Sequence, residues 1–200
     1  MDISINNVIG NPFAEMVYDD QKNVREPFQM QMENKDSMEK VEEVSEGEVL
    51  GIGFLKDSDS DISYGMAARY AEEFTKDHPI VQVLLRKPNN EVEYYNVDIS
   101  KINPANATEL EMFALCNYMD DKNPGARGKF GSWQTLKCID INACSNGYTF
   151  DTGLLENFAS SKKNWIGICR MMMDEYLGAG IFKQYKDCIN LSSEFSKFIS

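Results

Sequence analysis

The chain has 200 residues, 42% of them hydrophobic and 11% aromatic, with a formal net charge of −12, enough for one ordinary domain or for a smaller domain that carries a tail. No segment is strongly basic, so no nucleic-acid partner is expected, because binding a phosphate backbone relies on Lys and Arg displacing its counterions. The five cysteines, Cys116, Cys138, Cys144, Cys169 and Cys188, are odd in number and contain no C-x-x-C pair, which argues for reduced thiols in a cytoplasmic environment; the apolar runs are too short to span a bilayer.

The opening residues, MDISINNVIGNPFAEM, lack the basic flank and apolar block of a secretory signal. Ile3, Ile5, Val8 and Ile9, followed by Pro12 and Phe13, form an apolar set that either docks as an edge strand or stays mobile, as chain ends usually do. From Val17 to Glu48 the composition is polar and acid-rich, and a chain with so little apolar surface to bury does not recover its ordering entropy. Residues 1–48 therefore read as a flexible acidic arm, and 49–200 as a single globular domain.

Within that domain VLGIGFL carries apolar residues around Gly51 and Gly53, which suits a short strand with a bulge or a close backbone approach. The segment ISYGMAARYAEEF fits two periods. Ile62, Met66, Tyr70 and Phe74 recur as in a helix, while Tyr64, Met66, Ala68 and Tyr70 alternate as in a strand. PIVQVLLRK and EVEYYNVDIS, joined by Pro88, Asn89 and Asn90, read as a hairpin whose register is left open by the imperfect alternation of Val92, Tyr94 and Val97.

From Lys101 the pattern turns helical. Thr108 with Glu111 forms a capping box, followed by a wide apolar stripe on Leu110, Phe113, Ala114 and Tyr118 that should be buried. KNPGARGKFGS is a loop by composition. WQTLKCIDINACSNG is a second helix with Trp133, Leu136, Ile139 and Ala143 inward and Gly147 as its stop. The remainder reads as a helical hairpin: a first arm from Leu155 to Leu177, a break at Gly178–Gly180, and a second arm from Ile181 onward in which Asn190 to Ser193 is a possible interruption.

Few stretches carry chemistry. Asp57, Asp59 and Asp61 alternate as in the first half of a calcium-binding loop, but Ile62 and Ala68 stand where that loop needs its turn glycine and its bidentate Glu; a side-chain turn explains the comb without an ion, and no metal is expected. GARGKFG leaves only Ala126 and Arg127 between the first Gly and Gly-Lys, so it is no phosphate loop. Arg127 and Lys129 remain candidates for holding an anion. His78, the only histidine, precedes Pro79 and reads as an extended turn residue; a Cys-His pair is the sharper alternative. Asp120 and Asp121 end a helix where the dipole disfavours them, which pairing with Lys122, Arg127 or Lys129 would relieve; a paired-carboxylate acid/base site is the competing reading. Met171 to Met173 suit core filling with some adaptable surface.

Over roughly residues 63–121, SYGMAARYAEEFTKDHPIVQV together with VDISKINPANATELEMFALCNYMDD resembles a family of uncharacterised proteins from anaerobic gut Firmicutes, known as domains of unknown function. INPANATELEMFALCNYMDD is the most specific part. The resemblance implies no activity, cofactor or catalytic residue. It does imply that Ser63 to Ala71 is extended.

The expected fold is thus α+β, a small antiparallel β-meander followed by about four packed helices, with a core of Ile80, Val81, Val83, Leu84, Leu110, Phe113, Trp133, Leu136, Trp165 and Phe182. The first functional expectation is a non-catalytic protein-interaction module with a flexible acidic arm, a protein partner and no cofactor. The alternative is a small ligand-binding or hydrolase-like enzyme with a site near His78, Cys116, Asp120 and Arg127.

Overall fold

The computed structural model describes residues 48–56, 63–123, 131–148 and 155–199. Residues 1–47 of the expected arm, the comb at Asp57, Asp59 and Asp61, and the anion candidates Arg127 and Lys129 lie outside them.

The fold is α+β. Strands β1 (Val49–Lys56), β2 (Ser63–Tyr70), β3 (Ile80–Arg86) and β4 (Val92–Asp98) form one antiparallel sheet in sequence order. Of the two periods in the second segment, the strand wins: Met66 and Ala68 point into the core as members of the alternating set. The β3–β4 register pairs Val83 with Tyr95 and Val81 with Val97, and the turn closes with Asn90 at φ 65. Asn tolerates that left-handed position better than most residues. Lys87 N–H donates to Glu91 O at 2.8 Å and Asn90 N–H to Lys87 O at 2.9 Å, completing the turn.

The two sheet faces differ in kind. Gly51, Ala68, Val83 and Tyr95 make one inward row, and Gly53, Met66, Leu85 and Glu93 the next. The expected bulge lies between Val49 and Gly51. On this face rests helix α1 (Glu109–Lys122), and the two glycines explain how closely it settles. A Cβ at Gly53 would meet Phe113 and the Met66 methyl at 3.1 Å; one at Gly51 would overlap Asn117. Ile80 and Leu84, expected in the core, lie on the opposite face and are half-buried. Strand alternation gives their inward places to Val81, Val83 and Leu85.

Helix α1 is buried almost all round, from Leu110 through Asn117, because the sheet lies on one side and helix α2 (Gly131–Ser145) on another. Its capping box is complete. Thr108 Oγ1 accepts from Glu111 N–H at 3.1 Å, and Glu111 Oε2 accepts from Thr108 N–H at 2.7 Å. Trp133 packs edge-on against Phe113, ring centroids 5.3 Å apart at 78°, an arrangement favoured by the ring quadrupoles.

The expected first arm of the helical hairpin is divided. A single turn, α3 (Leu155–Phe158), is followed by the two-residue strand β6 (Lys162–Lys163), which pairs with β5 (Ala107–Thr108). Only then does α4 (Trp165–Gly178) begin, capped by Asn164 Oδ1, which accepts from Gly167 N–H at 2.8 Å. Trp165 Nε1–H donates to Ala107 O at 2.8 Å and its backbone N–H to Pro104 O at 3.0 Å, so the start of α4 is fastened to the segment before α1. Helix α5 (Phe182–Ser196) runs unbroken through Asn190 to Ser193, with Cys188, Leu191, Ser192 and Phe195 inward. Phe182, placed in the core by its apolar character, is instead 66% exposed. It opens α5 just beyond the hairpin turn, and the inward stripe starts a turn later at Tyr185. Among the described residues no helix is long and apolar enough to cross a membrane.

Candidate functional site

The residues singled out for chemistry have separate surroundings. His78 is exposed at the end of the turn before β3; its backbone N–H donates to Thr75 Oγ1 at 3.0 Å. Its Nε2 lies 3.0 Å from Asp98 Oδ2, and since a carboxylate only accepts, the ring nitrogen is the donor. Asp98 also accepts from Ser100 Oγ and N–H at 2.6 and 3.1 Å, and pairs with Lys101 at 2.9 Å. Those bonds, Ser100 first and Lys101 next, hold its carboxyl well below the usual carboxylate range. Cys116 is fully buried on α1.

Asp120 is buried and spans two helices: Oδ2 accepts from Ser132 N–H at 2.9 Å and Oδ1 from Ser132 Oγ at 2.5 Å. The awkward negative charge at the end of α1 is thereby delivered to the positive N-terminus of α2, where the helix dipole welcomes it. Asp121 turns the other way. It accepts from Tyr70 O–H at 2.6 Å and lies 3.4 Å from Lys122 Nζ, a pairing the sequence had suggested. Of the methionines, Met172 is buried, Met173 packs against the core, and Met171 faces outward.

A cluster that no sequence pattern announced joins Glu109, Lys137, Asp140 and Lys163. Lys163 Nζ is 3.3 Å from Glu109 Oε1 and 2.9 Å from Asp140 Oδ2, while Lys137 Nζ is 3.1 Å from Glu109 Oε2 and 3.3 Å from Asp140 Oδ2. Both carboxylate side chains are 3% exposed and Lys163 is 9% exposed. Burial alone would lower the Lys163 pKa, yet the carboxylates of Asp140 and Glu109 together raise it. Each charge is answered by two of the opposite sign, so the cluster is a fastening with no group left over for chemistry.

A groove of about 1020 Å³ runs between α2 and α5. Asp120, Cys138, Asn142 and Tyr176 line one side, Lys183 and Glu194 the other; His78 and Cys116 do not reach it. Asn142 Nδ2–H donates to Tyr176 O–H at 2.7 Å and Asp120 is taken up by Ser132, so two of its central polar groups are already satisfied. Among the described residues no group of three or more His, Cys, Asp or Glu is placed to hold a metal ion.

The sheet presents a different kind of surface. Its outer face consists of the rows Val49–Arg69–Gln82–Asn96, Ile52–Ala67–Leu84–Tyr94 and Phe54–Gly65–Arg86–Val92. Beyond the exposed Val49 the first is polar and internally bonded, Arg69 donating to Gln82 Oε1 at 2.7 Å and Gln82 to Asn96 Oδ1 at 2.9 Å. The other two expose Ile52 by 61%, Phe54 by 75% and Tyr94 by 49%.

The two sheet edges also contrast. Beside β4, Glu93 pairs with Lys87 at 2.5 Å and accepts from Tyr95 O–H at 2.8 Å, while Asp98 gathers His78 and Lys101. Charges of this sort keep a foreign strand away. From Val49 to Leu55, β1 has neither charge nor proline, and among the described residues it pairs with β2 alone. Its outward-directed backbone groups thus stand beside the most exposed apolar side chains of the sheet. That VLGIGFL is a short strand was readable in its sequence; its position at an edge was not. No family model matches the chain, and comparison with curated proteins and with solved structures found no significant match.

Proposed function

We propose that the protein is a non-catalytic interaction module whose binding element is β1, and that its partner is a protein segment in extended conformation with alternating apolar side chains. The observation that carries this reading is the uncharged edge of β1 flanked by the exposed Ile52 and Phe54. An added strand would bond the backbone groups of β1 that no described strand pairs, which supplies affinity, and set alternate side chains beside Ile52 and Phe54, which supplies selectivity. Arg86, exposed in the neighbouring row, favours an acidic residue in the partner.

Panning the full chain against a phage-displayed random peptide library tests the reading. Enriched peptides should alternate in hydrophobicity and protect the amides of residues 49–56 from hydrogen exchange. The double variant Ile52→Lys/Phe54→Lys should weaken them at least tenfold, roughly 1.4 kcal/mol, with thermal stability unchanged, since both side chains already face water. Protection that maps elsewhere, or binding that survives the double variant, overturns the proposal. So does concentration-dependent self-association abolished by the same variant, which would assign the edge to a second copy of the chain.

A further inference from the structure

Where β2 runs into the turn before β3, three aromatic rings converge on one ammonium group. Lys122 Nζ lies 4.9 Å from the ring centroid of Tyr70, 5.5 Å from that of Phe74 and 5.5 Å from that of Tyr118. Tyr70 and Phe74 are close neighbours, centroids 4.1 Å apart and planes tilted by 41°. Tyr118 stands almost perpendicular to Tyr70, at 87° and 6.4 Å. The rings therefore make two walls at a corner. Asp121 completes the enclosure, with Oδ2 bonded to Tyr70 O–H at 2.6 Å and 3.4 Å from Nζ.

All three rings are half-buried, and the Lys122 side chain is itself 47% exposed, so the corner opens to solvent. A structural clip for a helix-terminal lysine needs one ring face or one carboxylate. Here β2, the following turn and α1 contribute three rings and a charge to the same point. The Tyr70 hydroxyl and the Asp121 carboxylate already supply Lys122 with acceptors, and a strongly hydrated primary ammonium so supplied gains little more from three ring faces. A fully alkylated ammonium has no N–H to satisfy and takes its stabilisation from ring faces and a nearby anion.

We propose that Tyr70, Phe74, Tyr118 and Asp121 form an aromatic cage for a quaternary ammonium group, and that Lys122 is the tethered cation that occupies it until such a ligand arrives. The site lies apart from the β1 edge and does not depend on that surface being an interface. Burial first, and then the bond to Asp121, push the Tyr70 phenol up to about 12, so it remains a neutral donor to that carboxylate. Lys122 ends α1, and its flexible stem lets the ammonium leave without unwinding the helix. Ligand binding and release of Lys122 are then a single exchange.

The test titrates tetramethylammonium, choline and an N-acetylated trimethyl-lysine amide into the full chain and into Lys122→Ala. Upfield shifts of the ligand methyl protons, which ring currents produce inside a cage, provide the readout. Lys122→Ala should bind at least tenfold more tightly than the wild type, because its cage is vacated. Adding Phe74→Leu or Tyr118→Leu to Lys122→Ala should abolish the shifts while circular dichroism and melting show a folded protein. Preference for choline identifies a free small molecule as the ligand source, and preference for the lysine derivative a methylated protein. No saturable binding to Lys122→Ala in any arm, or binding indifferent to the ring substitutions, reduces the three rings to a clip and overturns the proposal.

Discussion

Among the described residues Asn117 Oδ1 is buried with no hydrogen-bond partner, while Asn117 Nδ2–H donates to Phe113 O at 2.7 Å. A methyl group placed on Gly51 would lie 1.6 Å from that oxygen, so the only thing the carbonyl can face there is the glycine Cα–H. Position 51 is thus closed to any side chain by a residue 66 positions away in the chain. Gly51→Ala should destabilise by about 1–3 kcal/mol, as overpacking does when rigid backbone lies on one side. Asn117→Ala opens the space, so the double variant should be more stable than Gly51→Ala alone, a coupling that urea denaturation of the four proteins would read. Additive losses would mean that the contact is not the reason for the glycine. The sequence marked Gly51 and Gly53 as places for a bulge or a close approach; it held no hint of the partner, because nothing in the α1 pattern distinguishes Asn117 from a solvent-facing polar residue. The cage around Lys122 was hidden for the same reason, Tyr70 and Phe74 coming from one local pattern and Tyr118 from another.

Elements with their own stop signals were the most legible. The second helix ends as its glycine suggested: Gly147 has φ 77, Tyr148 N–H donates to Ala143 O at 2.9 Å and Gly147 N–H to Cys144 O at 2.9 Å. The turn between α4 and α5 repeats this geometry, with Gly180 at φ 70, Ile181 N–H bonded to Tyr176 O at 2.8 Å and Gly180 N–H to Leu177 O at 3.1 Å. Both are paired bonds that satisfy carbonyls the helix end leaves open. Nothing lies within 4 Å of a Cβ built on Gly180, so an alanine there meets no steric obstacle and bears only the cost of a left-handed backbone. Gly180→Ala should therefore cost about 1 kcal/mol, lowering the melting temperature by about 2–4 °C, with Gly180→Asn losing less. An unchanged melting temperature for the alanine variant would show the hairpin turn to be indifferent to that conformation. By contrast, α3 and β6 are too short to carry a periodicity of their own. A single helical turn and a two-residue strand are not stable locally and are held by β5 and by the anchoring of Trp165. Helical spacing alone therefore ran them together with α4, and the same spacing placed Phe182 in the core although the break at Gly178–Gly180 leaves it in the first turn of the second arm, ahead of the inward stripe.

At the scale of the whole molecule, the four-charge cluster joins the start of α1 through Glu109, the middle of α2 through Lys137 and Asp140, and β6 through Lys163. Indole rings back both lysines, Lys137 5.7 Å from Trp133 and Lys163 5.1 Å from Trp165. Removing one cation leaves two almost wholly buried carboxylates to share the other, which is the arrangement that costs most. Lys163→Met keeps the stem and removes the charge, and should destabilise by about 3–5 kcal/mol. Adding Asp140→Asn restores neutrality around Glu109 and Lys137 and should recover about 0.5–3 kcal/mol of the loss. The pH dependence follows from the raised pKa of Lys163, since a group that binds its proton more tightly when folded contributes its full stability below the unfolded value of 10.5 and loses it as pH rises through the folded one. The stability gap between wild type and Lys163→Met should accordingly hold steady from neutral pH to about 10 and narrow only beyond it. Denaturant titrations at pH 7, 9 and 11 would measure it, and a gap that closed below pH 9 would mean that Lys163 is not the ion holding α1, α2 and β6 together.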